Sequence, residues 1–389
     1  MLKINLLYII TKLELGGAQK QLLSLIRGLD KEKYNLFLFT AKDGLLINEA
    51  LAIKNLHLRR SIFLERRINP FKDLAALIEV GVFIKKNKIQ IVHTHSSKAG
   101  ILGRFAARLA NITLIIHTVH GWSFHDYQSR VINYLYLILE RISASFTSKI
   151  IVVSDFDRDK GLKNSVGCKN KYVLIRYGIE ASQFEPQEKT GDFRKSLGLK
   201  DADLVVGMVA CFKPQKAPLD FIKLAKAIKI SFPNVKFILI GDGQLYQKVC
   251  ALIKKLNLEN QVILTGWRRD LSRILSSLDV FVLTSLWEGL PIVILEAMAA
   301  KVALVATDTG GIQEIVVNAK SGYLVKPHDL LSLQTKVEAL LKDLRHREEF
   351  IKAAQAIIHS EEFSLNRMVT DTEKLYSGLL NERPAASNI

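Results

Sequence analysis

A chain of 389 residues, 49% hydrophobic and 24% charged, can bury two cores of ordinary size, which excludes a disordered polymer. The formal net charge is +17. It lies mostly in residues 1–185, where 28 Lys and Arg face 15 Asp and Glu, against 27 and 23 in the remainder; a basic half suits an anionic phospholipid surface or nucleic acid. Three distant cysteines, Cys168, Cys211 and Cys250, exclude a disulfide framework and point to a reducing compartment.

Residues 4–10 read as a first buried strand, too short for the apolar core of a signal peptide. Further apolar runs of β type follow at 35–40, 89–93, 114–118, 150–153 and 172–175, with helical spacing at 18–29, 71–86, 98–109 and 132–142. The second half repeats the alternation. Its strand runs are 204–209, 235–240, 261–264, 280–283 and 303–306; its helical runs are 219–230, 244–256, 271–278, 292–300 and 330–341. The most apolar region, 280–307, is broken by Glu288, Pro291, Glu296 and Lys301, so it is not a membrane span.

Near-continuous apolar strands alternating with helices predict an α/β protein with two doubly wound parallel sheets. The predicted seam is the polar stretch 180–200, which divides a domain of residues 1–185 from one of 186–365, and residues 381–389 read as a frayed tail. In such sheets ligands sit beyond the C-terminal strand ends, so two facing domains place a ligand cleft between them.

The run Glu288-Gly-Leu-Pro-Ile-Val-Ile-Leu-Glu296 sets two carboxylates around a turn and the opening of a helix, with Pro291 predicted at the first helical position. One carboxylate at the mouth and one on the helix wall can grip hydroxyls on either side of a phosphate held at the helix N-terminus. Gly16-Gly17-Ala18-Gln19 follows the first strand; it is either a tight strand-to-helix turn or a close backbone approach to a ligand. Five of nine histidines, His93, His95, His117, His120 and His125, fall within 33 residues. They lack acidic or thiol partners at ligand spacing, so no metal is expected. His120, followed by Gly121, is the best cleft candidate.

Lys216 lies in the loop between a strand and a helix, where a cation can neutralise a phosphate. Gly241-Asp242-Gly243 follows the next strand, and Asp242 is expected to cap a helix. Gly310-Gly311 is expected to open a helix, with Glu314 near its start. Four of these motifs sit at strand ends of the second half, which marks that domain as a nucleotide-phosphate site.

Taken in order, these motifs resemble the family-four retaining glycosyltransferases of the GT-B fold, over residues 4–345. The segment 97–104, with His117-Thr-Val-His120-Gly, is similar to the branch that builds bacterial surface polysaccharide. The resemblance implies a sugar moved from a UDP- or GDP-sugar to a saccharide or polyprenyl-diphosphate-linked acceptor. The enzyme would be cytoplasmic and peripheral on the inner membrane face. It implies that Lys216 contacts the donor diphosphate, Glu296 the ribose, and Glu288 with Gly289 and Leu290 the donor sugar. Gly16 and Gly17 would approach the diphosphate, Gly241, Gly310 and Gly311 would line the donor pocket, and His120 would stand beside the reacting sugar. No cofactor or metal is implied, and the helix at 366–380 would return to the first domain. Cys211 stands where the family usually has Arg, and Tyr177-Gly178 where it has Asn-Gly. Two alternatives are a nucleotide-sugar epimerase of the same architecture and a nucleic-acid-binding protein; the basic clusters lack the interleaved aromatics that the second requires.

Overall fold

The computed structural model describes residues 3–185, 191–200 and 202–382; the tail at 383–389 and part of the expected seam lie outside them. The first thirteen elements are β1 (Ile4–Ile9), α1 (Gly17–Gly28), β2 (Tyr34–Ala41), α2 (Ile47–Leu51), β3 (Leu56–Ser61), α3 (Pro70–Lys86), β4 (Ile91–His95), α4 (Ser97–Leu109), β5 (Leu114–Val119), α5 (Arg130–Ser145), β6 (Lys149–Val152), α6 (Asp155–Lys163) and β7 (Tyr172–Leu174). There follow α7 (Gly191–Ser196), β8 (Val205–Val209), α8 (Pro218–Ser231), β9 (Lys236–Ile240), α9 (Tyr246–Lys255), β10 (Val262–Gly266), α10 (Leu271–Leu275), β11 (Val280–Leu283), α11 (Ile292–Ala299), β12 (Ala303–Thr307), β13 (Tyr323–Val325), α12 (Leu330–Lys342), α13 (Leu344–Ile358) and α14 (Leu365–Asn381).

These elements form two compact units. One holds the residues up to Gly178 and those from Leu365 onward; the other is Ile179–Ser364. The first unit carries a seven-stranded parallel sheet ordered β3-β2-β1-β4-β5-β6-β7. The second carries a six-stranded parallel sheet ordered β10-β9-β8-β11-β12-β13. Central strands such as β4, β5, β11 and β12 are buried along their whole length, because helices cover both faces.

In the first unit, α1, α2 and α14 pack over one face of the sheet, and α3 and α4 over the other. The return of α14 is tied by Lys33 Nζ to Ser377 Oγ (2.7 Å) and by the Asp30 amide to Glu373 Oε1 (2.9 Å). Local chemistry sets the helix starts. Asn69 accepts from the Lys72 amide with Pro70 at the first position of α3, and Ser154 accepts from the Asp157 amide to start α6.

Six elements fall outside the sequence expectation: the short helices α2 and α7, the edge strands β3 and β13, and the helices α6 and α13. β3 and β13 are short edge strands; β3 exposes Arg59 and Arg60, so it lacks the apolar run of a central strand. α6, of sequence Asp-Phe-Asp-Arg-Asp-Lys-Gly-Leu-Lys, is polar on nearly every side. α13 buries only the spaced positions Arg347, Phe350, Ala354 and Ile358.

Candidate active site

The order of the second sheet reverses between β8 and β11, and the chain ends of these two strands carry Lys216 and Glu288. After β8 the chain makes a 3-10 turn at Pro214–Lys216 and passes through Ala217 in the left-handed region (φ 41°) before entering α8. Thr284 Oγ1 bridges to the carbonyls of Lys216 (2.9 Å) and Ala217 (3.0 Å). The Leu286 amide donates to Gln215 O (2.7 Å), and Gln215 Nε2 donates to Trp287 O (2.9 Å). Two loops stitched in this way bring the Lys216 ammonium onto Glu288 Oε1 as a short ion pair, with both side chains largely buried. Ser285 Oγ donates to the same carboxylate oxygen at 2.6 Å. A buried charge pair costs desolvation and is tolerable only with such added hydrogen bonds.

The loop after β12 closes over this turn. The Gly311 amide donates to Gly289 O (2.8 Å), and Thr309 Oγ1 to Leu286 O (3.0 Å). Gly310 has φ 59°, and a Cβ there would lie 2.0 Å from the Glu288 carbonyl oxygen, so only glycine fits. Gly241 is comparable: at φ 129° a Cβ would lie 1.9 Å from Ala210 O, at the root of the Lys216 loop. Lys216, Glu288, Gly289, Gly310 and Gly311 are thus in direct contact. Leu290 is buried beside them, and Glu296 is buried on α11, all eight residues of which are buried.

Three local expectations are corrected. Pro291 caps α11 instead of opening it, and Ile292 is the first helical residue; Glu296 is then the fifth. Asp242 does not cap α9, which starts three residues after Gly243; its carboxylate accepts from the Gly243 amide at 2.6 Å. Gly310–Glu314 is a 3-10 turn with Glu314 at its end, so Glu314 does not gain from a helix N-terminus.

Gly16, Gly17 and His120 belong to the first unit. Gly16 is the N-cap of α1 in an extended conformation, φ −126°, that any residue adopts. A Cβ there meets only the flexible end of Gln19, at 2.6 Å.

His120 uses both ring nitrogens within its own unit. Nε2 bonds His95 Nδ1 (2.9 Å), and Nδ1 makes a short bond with the Tyr177 hydroxyl. Next to it, His93 bonds Tyr376 through Nδ1 (2.5 Å) and Thr118 through Nε2 (2.7 Å), and Tyr376 bonds Tyr8 (2.9 Å). His117 Nδ1 pairs with Thr94 Oγ1 (2.9 Å). Burial pushes His93 and His120 down to about 3. Burial also holds His95 and His117 well below the ordinary histidine value. All four are neutral imidazoles at neutral pH. Among the described residues, no group of three His, Cys, Asp or Glu is arranged to hold a metal ion.

Sequence reasoning misses Ser285, Gln215, Thr284, Tyr177 and Tyr376. Ser285 carries a local signal, lying three residues before Glu288. Tyr376 carries none, since its contact with His93 spans 283 residues. Tyr177, at the Asn-to-Tyr departure, is the residue that reaches His120.

Comparison with known proteins fits this geometry. Residues 15–183 match the family model described as Glycosyltransferase Family 4, and residues 189–357 the one described as Glycosyl transferases group 1. The UDP-Gal:alpha-D-GlcNAc-diphosphoundecaprenol alpha-1,3-galactosyltransferase of Escherichia coli is 38% identical over 269 residues, 68% of this chain and 70% of that protein. The N,N'-diacetylbacillosaminyl-diphospho-undecaprenol alpha-1,3-N-acetylgalactosaminyltransferase of Campylobacter jejuni is 29% identical over 77% of this chain and 81% of its own length. Anabaena HepE, solved in complex with UDP-glucose, superposes with a TM-score of 0.84 over 96% of this chain and 100% of that one, at 20% identity. The paired parallel sheets and the extent of these matches establish that the chain belongs to the family-four glycosyltransferases, enzymes of the GT-B fold.

Proposed function

We propose that this glycosyltransferase moves a sugar from a UDP-sugar, with retention of anomeric configuration, onto a polyprenyl-diphosphate-linked saccharide used in cell-surface polysaccharide. The observation that carries the reading is the buried Lys216–Glu288 pair, fixed by Ser285 and Gly310 where the second sheet reverses. The relatives from Escherichia coli and Campylobacter jejuni, whose names specify diphospho-undecaprenol acceptors, support the acceptor class. The UDP-Gal named for the first supports the nucleotide.

In this reading Lys216 exchanges part of its contact with Glu288 for the donor diphosphate. Glu288 is thereby released toward the hydroxyls of the donor sugar. Glu296 takes the ribose, the Gly289–Leu290 backbone faces the donor sugar with Glu288, and Gly310 and Gly311 line the donor pocket. As the glycosidic C–O bond breaks, its electron pair goes to the diphosphate. The acceptor hydroxyl attacks from the same face and passes its proton to a departing phosphate oxygen. Lys216 and the helix N-termini absorb the charge, so the reading needs no metal. Cys211 leaves one cation fewer than the family pattern; that charge is either absent or supplied by another group, such as Lys213 in the same loop. His120, neutral and bonded on both nitrogens, orients Tyr177 within the first unit. The enzyme acts at the cytoplasmic face of the membrane, where nucleotide-sugars are available.

The test is transfer from labelled UDP-sugars to a polyprenyl-diphosphate saccharide. Lys216→Ala and Glu288→Ala are each expected to lower kcat/KM by about 10²–10³, the size of losing one preorganised charge contact. Near-native rates in both folded variants would remove the site assignment. A β-linked product from an α-linked donor would remove retention.

A further inference from the structure

α5 is apolar on more than one face, with Tyr136 and Leu137 packed against the core. Its sequence Arg-Val-Ile-Asn-Tyr-Leu-Tyr-Leu-Ile-Leu-Glu-Arg is mostly apolar, yet the residues it buries are Glu140, Ser143 and Ala144. Val131 (79% exposed), Ile132, Tyr134 and Leu135 face solvent instead. α3 is similar: Ala76, Val80 and Ile84 face the sheet, while Phe71 (87% exposed), Leu74, Ile78 and Val82 form a second apolar stripe on the outer side. A helix that is apolar all round belongs in a core or against lipid, and contiguous exposed apolar surface of this extent marks an interaction site.

The two stripes lie on one side of the first unit. α4 stands between them, joined to α3 by Lys98–Asp73 (2.5 Å) and to α5 by the buried Arg104–Glu140 pair (2.7 Å). Charge complements the apolar surface. Between residues 59 and 141 there are thirteen Lys and Arg against five Asp and Glu. Exposed Arg66, Arg67 and Lys72 sit at the start of α3, Lys85 and Lys86 at its end, and Arg130 at the first position of α5. Among the described residues no helix is long and apolar enough to cross a membrane, so these helices can lie on a bilayer but not span it.

We propose that the outer faces of α3 and α5 form one docking surface for an anionic phospholipid membrane, with the apolar stripes inserted at the acyl boundary and the flanking cations among the headgroups. The surface rests on the reading of a lipid-linked acceptor and names the part of the enzyme that brings it to such a substrate.

Flotation of the full chain with phosphatidylcholine vesicles, with and without phosphatidylglycerol, tests it. The chain is expected to float only with phosphatidylglycerol present, and less as salt rises. The double variant Phe71→Ser, Leu135→Ser should lower partitioning about tenfold or more while the melting temperature stays unchanged. Arg67→Gln with Arg130→Gln should lower it by about fivefold per charge, and only on the anionic vesicles. Wild-type partitioning in both variants, or equal partitioning on both vesicle types, would overturn the proposal. So would a wild type that is dimeric in sedimentation, does not bind vesicles, and becomes monomeric in the apolar variant; the face would then join two copies of the chain. Loss of flotation in the variants without transfer to any polyprenyl acceptor supports the surface and removes the acceptor reading instead.

Discussion

At the scale of single residues, the site depends on a contact that leaves no room for change. Gly310 lies where any side chain would strike the Glu288 carbonyl oxygen, and its φ of 59° is disfavoured for residues with a Cβ. Gly310→Ala therefore displaces the Glu288 turn as well as straining its own backbone. We expect it to raise KM for the donor and lower kcat together, with a loss of about tenfold or more, since small misplacements of positioning groups cost this much. Gly16→Ala is the contrast: Gly16 is extended and meets only the mobile end of Gln19. It should fold normally, and steady-state kinetics of the two variants side by side would show whether the distinction is real. Equal damage in both would mean that Gly16 serves close ligand approach and not the turn alone. The glycines were legible in the sequence as motif members, but their different demands were not. Whether a glycine is required depends on which backbone oxygen it faces, and that oxygen comes from a loop more than twenty residues away in the case of Gly310.

At the scale of elements, period decided what could be read. Strands buried on both faces, such as β11 and β12, announce themselves as apolar runs; edge strands β3 and β13 do not, because one side needs no core. α5 reads correctly as a helix from its 3.6-residue spacing, but that spacing does not show which face is buried: Tyr136 and Leu137 pack on the core while Val131, Ile132, Tyr134 and Leu135 are exposed. The buried face is set by Glu140, whose carboxylate takes Arg104 Nη2 at 2.7 Å while Arg104 Nε donates to Gly100 O at 2.9 Å. Arg104 and Glu140 are both nearly inaccessible, so breaking the pair strands a charge. Glu140→Ala is expected to destabilise the first unit by about 3–5 kcal/mol, the usual cost of orphaning one partner of a buried pair. Replacing both residues by Leu and Met should recover most of that loss. Denaturant unfolding of the single and double variants separates the two results; a single variant as stable as the parent would mean that the pair contributes nothing to holding α5 against α4.

At the scale of the molecule, the two units should respond differently to acid. In an unfolded chain a histidine takes up a proton near pH 6.5. In the folded first unit burial delays this to about pH 3 for His93 and His120, and lowers His95 and His117 in the same direction. Between pH 6.5 and 3 the unfolded state therefore binds more protons, so stability is complete above pH 6.5 and declines as pH falls. Each histidine that stays neutral in the fold contributes about 1.4 kcal/mol per pH unit to the slope. The second unit has Asp270, Asp329 and Glu338 lowered by hydrogen bonds from Arg268, from Ser332 and from Gln334; these act only below the ordinary carboxylate range. From pH 6.5 to 5 the histidines of the first unit are thus seen with little interference. Corrected for the intrinsic, base-catalysed exchange rate, the protection of β4 and β5 should fall across that interval, while that of β11 and β12 stays nearly constant. His93→Gln, if it keeps its bonds to Tyr376 and Thr118, should reduce the slope of the first unit by about one proton. Protection of β4 and β5 that is flat down to pH 5 would show that the imidazoles are protonated in the folded chain, and would undo the neutral role assigned to His120.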